Sequence, residues 1–374
     1  MNALEKLTPS APSWRIDWPA IEAALPALAA QRDCPQDPRF RAEGDVWTHT
    51  RLACEALTAL PAFRRLAATD QAIVFAAVLL HDLGKPATTR REPDGQIASP
   101  FHGPRGAVQA RALLWRMDVP FSVREQTCAL VRFHQAPFHW LDAADSRRRV
   151  IEISQTARCN WLSLVAEADV RGRNCADRDE LLLRVALFAE YCRELDCYAW
   201  PYPFASEHSR FEYFRTDGRE PGYAAYDATR CEVVLLSGLP GAGKDRWLRR
   251  QCAHLPVVSL DGIRDELGID PSQPQGRVAS MARERARALL RAGEAFVYNG
   301  THLSRPLRRK VIDLFAAYNA RVRIVYVEVS PARLSAQNCN RAVPVPERVI
   351  ERLLARWDVP DLTEAHRVDY VVTD

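Results

Sequence analysis

Lysine is almost missing from this 374-residue chain: Lys6, Lys85, Lys244 and Lys310 are the only ones, and arginine supplies the rest of the 51 basic side chains. Where arginine has taken over elsewhere, a retained lysine suggests a need for a compact ammonium rather than a planar fork. The ten cysteines include no Cys-x-x-Cys pair, so neither a zinc ribbon nor a disulfide framework is suggested, and reduced thiols are expected. Long apolar runs are also lacking. Pro9, Pro12, Arg15, Asp17 and Pro19 break up the start, which argues against a signal-peptide core, and no run is long enough to span a bilayer. The expectation is a cytoplasmic protein without membrane contact. No internal repeat or low-complexity tract is present.

With 47% hydrophobic and 26% charged residues the chain is globular, and its length exceeds what one ordinary domain needs. Up to about Trp200 the apolar spacing is helical, with helices expected near 48–60, 70–82, 104–116, 122–134, 147–158, 160–171 and 178–197. After Cys231 the pattern changes. Strands are expected at 232–237, 256–260, 295–299, 321–327 and 368–373, with helices at 244–253, 276–291, 305–318, 331–340 and 346–357 between them. This predicts an all-α domain over 1–200 followed by an α/β domain over 231–374 with a parallel five-stranded sheet. Residues 201–230 carry Tyr202, Phe204, Phe211, Tyr213, Phe214, Tyr223 and Tyr226, too aromatic for a free linker. We expect this connector to pack between the domains. From Cys231 onward 22 Lys/Arg face 17 Asp/Glu, against 29 and 30 before it, so the net +4 belongs to the second part. That bias suits an anionic acceptor such as a nucleic-acid end.

The stretch Gly238-Leu239-Pro240-Gly241-Ala242-Gly243-Lys244-Asp245 follows the apolar run Val233–Leu236 and leads into Trp247-Leu248. A strand handing over to a helix is the context of a P-loop. There the glycines let backbone N–H groups wrap a nucleotide phosphate, the lysine reaches the β/γ oxygens, and the helix N-terminus faces the negative charge. These residues are the expected ATP site. Asp245 stands where a Ser or Thr usually binds Mg²⁺; a carboxylate can hold that metal directly or through water.

Further on, Ser259-Leu260-Asp261-Gly262-Ile263-Arg264 places a carboxylate at the C-terminal edge of the sheet, where ligands bind in open α/β folds. Asp261 can accept a proton from an attacking hydroxyl, and Arg264 can grip a phosphate of the acceptor. The bland alternative is a helix-capping Asp with a surface Arg.

Upstream, Leu79-Leu80-His81-Asp82-Leu83-Gly84-Lys85-Pro86 closes an apolar run from Ile73 with an adjacent imidazole and carboxylate, then a glycine and a proline that stop the helix. His49, His102, His134, His139 and Asp169 lie around it in sequence. The order His, His-Asp, distal Asp over Val46–Arg173 resembles the HD phosphohydrolase superfamily. That resemblance implies an HD-type helical bundle in which His49, His81, Asp82 and Asp169 hold a divalent metal. His102 and His134 fall where two-metal members add ligands, and Lys85 matches the lysine often found after the pair. Such a metal polarises a phosphoryl oxygen and makes hydroxide available near neutral pH, so the implied reaction is phosphoester hydrolysis. Imidazole and carboxylate ligands accept Mn, Fe, Co, Ni or Zn, one ion or two.

The second part resembles the 5′-hydroxyl polynucleotide kinases of the P-loop phosphotransferase class. The resemblance implies that Ser259, Asp261 and Arg264 form its Ser-x-Asp-x-x-Arg motif, that Asn299 and Thr301 help bind the acceptor, and that Arg341 is the lid arginine. Arg305 and Arg308 rank lower, as helix arginines that are ordinarily solvated. An HD module followed by such a kinase looks like the bacterial HD-domain polynucleotide kinases, which implies RNA end healing. The first domain would remove 2′,3′-cyclic, 2′- or 3′-phosphates, and the second would phosphorylate 5′-OH ends with ATP and Mg²⁺. RNA ends are the implied partners, DNA 5′-OH ends a further acceptor, and a separate RNA ligase the downstream enzyme. Three other readings compete: a nucleotide phosphohydrolase fused to a nucleoside or metabolite kinase, which nothing in the motifs excludes; an ATP-gated nucleic-acid-binding regulator with decayed sites, against which the intact metal set argues; and a nucleotide-adding transferase whose accessory HD region carries a similar string, where a P-loop phosphotransferase would be out of place.

Overall fold

The structure, a computed structural model, describes residues 2–270, 272–341 and 343–373. The chain divides into two compact units, Met1–Pro203 and Phe204–Asp374. Among the described residues no helix is long and apolar enough to cross a membrane.

The first unit is helical. Its main helices are α1 (Val46–Ala59), α2 (Ala68–Leu80), α3 (His102–Arg116), α4 (Phe121–Phe133), α5 (Cys159–Arg171) and α6 (Arg178–Glu194). Helix α2 reads ATDQAIVFAAVLL, and every residue from Gln71 to Leu80 is buried. A helix apolar all round belongs at the centre, and α2 packs against α1, α4 and α5. Its C-terminal end therefore delivers His81 and Asp82 into the interior. Gly84 lets the N-terminus of α3 come close, because a Cβ there would lie 2.2 Å from the His102 carbonyl oxygen. Few strands were expected in this unit, and one small hairpin is present, Arg90–Arg91 paired antiparallel with Ile97–Ala98. Its four residues are too few to register as a periodic pattern.

The second unit is a five-stranded parallel sheet with helices. The strands are β1 (Cys231–Ser237), β2 (Val257–Ser259), β3 (Phe296–Asn299), β4 (Ala320–Val329) and β5 (Arg367–Thr373), in the order β2-β3-β1-β4-β5. Strand β1 is central, with Val233 in register with Phe296 on one side and Val322 on the other. The helices are α7 (Glu207–Arg215), α8 (Lys244–Gln251), α9 (Leu260–Leu267), α10 (Gly276–Ala292), α11 (Arg305–Ala316), α12 (Pro331–Cys339) and α13 (Glu347–Leu354). Helix α9 begins where the second strand was expected to continue. Ser259, whose side chain accepts from Gly262 N–H at 3.2 Å, caps it, so the bland alternative of Asp261 as the cap does not hold.

The aromatic connector splits at the boundary of the units. Tyr202 N–H donates to Ser154 Oγ at 3.1 Å in the first unit. In the second, Phe211 of α7 is buried and stacks on His366, with ring centroids 3.9 Å apart.

Candidate functional site

In the helical unit, His49, His81, Asp82, His102, His134 and Asp169 converge, all buried. His49 lies in the first turn of α1, whose N-cap Asp45 accepts from Thr48 N–H at 2.7 Å. His81 and His134 end α2 and α4, His102 begins α3, and Asp169 lies in the last turn of α5. Their ligand atoms form two sets, His49 with His81 and Asp169, and Asp82 with His102 and His134; within each set all lie within 4.8 Å of one another.

The hydrogen bonds show what the imidazoles offer. His81 Nδ1 meets Val78 O at 2.6 Å, His102 Nδ1 meets Ser99 O at 2.7 Å, and His134 Nδ1 meets Val131 O at 2.8 Å. A carbonyl only accepts, so each of these Nδ1 atoms carries a proton, and in the neutral ring each Nε2 presents a lone pair. His49 Nδ1 faces Glu43 Oε1 at 2.8 Å without a well-aligned hydrogen bond, and its Nε2 is 3.0 Å from Asp169 Oδ1. Yet the Nε2 atoms of His49 and His81 are 3.2 Å apart, as are those of His102 and His134. Facing lone pairs, as the neutral His102 and His134 rings present, make no hydrogen bond at that distance and suit ligands of a cation.

The charges agree. Burial holds His49, His102 and His134 below the usual imidazole range, keeping them neutral. Burial alone would raise the Asp82 carboxyl, but the His81, Lys85 and Arg41 groups around it hold it well below the usual carboxylate range. Asp169 is held down in the same way by Arg173 and Arg41. Asp82 is 2.7 Å from Lys85 Nζ, although neither carboxylate oxygen accepts a well-formed hydrogen bond. Lys85 itself is pushed down to about 8 by burial and by Arg41. The donor set fits one or two divalent metals.

Four contributors were not anticipated. Arg173 grips Asp169 with both carboxylate oxygens at 3.0 and 2.6 Å. Arg41 lies 3.4 Å from Asp169 and 3.6 Å from Asp82. Gln36 Oε1 accepts from Lys85 Nζ at 2.7 Å, and Glu43 faces His49 Nδ1 at 2.8 Å. The Arg173-Asp169 spacing of one helical turn was a readable signal; the loop residues Gln36, Arg41 and Glu43 offered none. A cavity of about 450 Å³ opens beside the cluster, lined by Arg41, Lys85, His102 and Arg173 among others. His139 also lines it, but is exposed, ion-paired with Asp142 at 3.5 Å and outside both ligand sets.

In the second unit the loop after β1 closes as the glycines require. Gly238 has φ 144°, and a Cβ there would lie 2.2 Å from Val327 O. Its N–H donates to Thr301 O at 3.0 Å, tying the P-loop to the end of β3. Lys244 Nζ arches back to Gly238 O at 2.9 Å and Leu239 O at 2.8 Å. Burial pushes it down to about 8, against the pull of Asp245 and Asp261; Arg341 adds to the lowering. The P-loop lysine thus feels the metal-site, base and lid candidates together.

Asn299 Nδ2 donates to Asp245 Oδ1 at 2.8 Å, and Arg264 pairs with Asp261 one turn away on α9. Asn299 was expected to meet the acceptor; here its side chain braces Asp245. Arg341 is exposed in the bend after α12. Beside it Asn338 staples the chain, donating to Val345 O at 2.8 Å and accepting from Val345 N–H at 2.9 Å. Gln337 of α12, unassigned by sequence, lies against Gly241 O and Arg333 Nε, and with its amide turned end for end it donates to the first and accepts from the second.

Arg308 departs from the expected solvated arginine. It is fully buried, bidentate to Glu364 at 2.7 and 2.8 Å, and donates to His302 O and Asp358 O. Arg305 is half-buried against Asp361 and Thr363. Both tie α11 to the segment before β5, whose acidic residues lie too far along the chain for a local pattern to reveal the pairing.

A family model described as an AAA domain matches residues 233–360, which hold the P-loop and four of the five strands. Among curated proteins, the chain is 32% identical over 168 residues to the Multifunctional CCA protein of Xanthomonas campestris pv. campestris, covering 42% of this chain and 37% of that protein. It is 31% identical over 238 residues to the Multifunctional CCA protein of Halorhodospira halophila, covering 61% and 51%. The chain spans about half or less of the length of these relatives. Among solved structures, an unliganded sugar kinase from Janibacter sp. shares 16% identity over 38% of this chain and 85% of that one, with a TM-score of 0.30. The second unit is a P-loop domain, with a glycine-rich loop and its lysine at the end of the central strand of a parallel five-stranded sheet.

Proposed function

We propose that the protein heals RNA ends, pairing a metal-dependent phosphoesterase in the helical unit with a 5′-hydroxyl kinase in the P-loop unit. The observation that carries the first half is the pair of facing Nε2 lone pairs beside the cationic cavity. His49, His81 and Asp169 would hold one divalent metal, and Asp82, His102 and His134 a second. Bound there, such ions supply Lewis acidity and a hydroxide near neutral pH. Arg41, Lys85 and Arg173 line the cavity with positive charge, which suits a phosphoester bearing a terminal or cyclic phosphate. Lys85, whose burial makes its ammonium a readier proton donor, would give a proton to a leaving alkoxide.

In the kinase half, Lys244 would exchange its contacts with the P-loop carbonyls for the β/γ oxygens of ATP. Asp245, fixed by Asn299 through one oxygen, would offer the other to Mg²⁺. Asp261 would take the proton of the attacking 5′-OH once an acceptor phosphate draws Arg264 away from it. Arg341 would close over the transferring phosphoryl group. Phosphoryl transfer asks mainly for this positioning and charge neutralisation.

The test is purified protein with ATP, Mg²⁺, a transition metal and an RNA oligomer bearing a 5′-OH and a 2′,3′-cyclic phosphate, with both ends analysed. Loss of the cyclic phosphate together with gain of a 5′-phosphate is the expected result. Phosphorylation of free nucleosides as fast as of the oligomer would favour a small-molecule kinase instead.

A further inference from the structure

Three cysteines far apart in sequence meet in the core of the helical unit. The Sγ atoms of Cys159, Cys192 and Cys197 lie within 4.8 Å of one another, and none of the three residues is more than 1% exposed. Two independent backbone devices bring them together. Cys192 lies in the last turn of α6; Cys197 N–H donates to its carbonyl at 2.8 Å, Asp196 N–H donates to Arg193 O at 3.0 Å, and Asp196 has φ 52°. This is a Schellman cap, a motif in which the first and last residues of the closing turn touch, usually through apolar side chains. Here both are thiols. Cys159 is the first residue of α5, drawn toward the same point by the bond from Asn160 N–H to Tyr198 O at 2.8 Å.

We propose that these three side chains form a binding site for a soft, thiophilic metal ion, separate from the histidine and aspartate ligands described above. Thiolates select ions such as Zn²⁺ or Cu⁺. A metal–sulfur distance of about 2.3 Å places three sulfurs about 4 Å apart in a trigonal arrangement, which this trio reaches by side-chain adjustment. Each thiol releases its proton to solvent as the metal binds. One feature favours that loss: Cys159 sits at a helix N-terminus, where the macrodipole favours a thiolate against the opposing effect of burial. A metal here would clamp the start of α5 to the end of α6. Because Asp169 lies at the other end of α5, the clamp would also steady the helix that carries it.

The test is titration of the full, reduced, chelator-stripped chain with Cd²⁺, followed by sulfur-to-metal charge-transfer absorption. That signal reports thiolate ligation and is blind to a site built from imidazole and carboxylate. It is expected to saturate within three equivalents, the histidine and aspartate site taking up to two, at the amplitude of one thiolate-bound Cd²⁺ per chain, to be lost in Cys159→Ala and in Cys197→Ala, and to persist in Cys339→Ala, which changes an exposed cysteine. Cys192→Ser supplies the same test should either alanine variant fail to fold. Absence of the band with three equivalents of Cd²⁺ added, or its persistence in the folded variants of the trio, overturns the proposal. So does a Cys192–Cys197 disulfide in the peptide map of the protein as isolated, which would identify a redox pair instead.

Discussion

Asn299 donates to the carboxylate of Asp245 across 2.8 Å, joining the end of β3 to the residue that follows the P-loop lysine. The interaction suits a carboxylate at this position: a lone Asp beside incoming phosphates would be repelled, whereas one held by an amide is oriented and partly neutralised. Its geometry leaves one oxygen for a metal.

Asp245→Ser is therefore expected to keep measurable kinase activity, since a hydroxyl can take over a metal contact, while Lys244→Ala is expected to lose it. The Mg²⁺ dependence should shift in the Ser variant. Identical Mg²⁺ titrations of wild type and Asp245→Ser would remove this residue from the metal site.

Asp82→Ala removes a proposed ligand that also faces Lys85, His102 and His134. It should abolish hydrolysis at the 3′ end and lower the metal content of the purified protein. Phosphorylation of 5′-OH ends should remain near the wild-type level, because the P-loop lies in the other unit. Equal loss of both activities in a folded variant would contradict two separate sites.

How much of this was legible in the sequence varies with the range of the interaction. The His81-Asp82 pair and the P-loop were readable because a local string carries the chemistry and the helix or strand beside it sets the direction. His49 and Asp169 could be found only by their order in the chain. Arg41, Gln36 and Glu43 were invisible, since each acts from a loop on residues made neighbours by the fold. Arg308 misled for the same reason: Arg305-Pro306-Leu307-Arg308-Arg309-Lys310 reads as a solvated helix face until Glu364 is placed opposite. The three clustered cysteines gave no signal either, because spacing rules look for neighbours and a helix cap together with a second helix made these.

Arg308→Met leaves Glu364 buried without its bidentate partner, and burial already raises that carboxyl. Removing one member of a buried pair typically costs about 3–5 kcal/mol. The second unit should unfold at a markedly lower urea midpoint, and the double variant Arg308→Met with Glu364→Leu should recover much of the loss. A single variant as stable as wild type would show that the pair adds nothing to the fold.

Asp261 and Arg264 test the base and the acceptor together, and their ion pair makes the test sharper. If Asp261 takes the proton from the attacking hydroxyl, Asp261→Asn should still bind ATP yet transfer phosphate on the order of 10²-fold more slowly. Arg264→Ala should act differently. It frees Asp261 from its partner, so the chemical step should survive, while the KM for an oligonucleotide rises more than that for ATP because a strand phosphate has lost its contact. A free nucleoside, having no strand phosphate to lose, should be affected far less by Arg264→Ala than the oligonucleotide is. Wild-type transfer to RNA by Asp261→Asn would dismiss this carboxylate as the base, and equal effects of Arg264→Ala on nucleoside and oligonucleotide would dismiss the arginine as the strand contact.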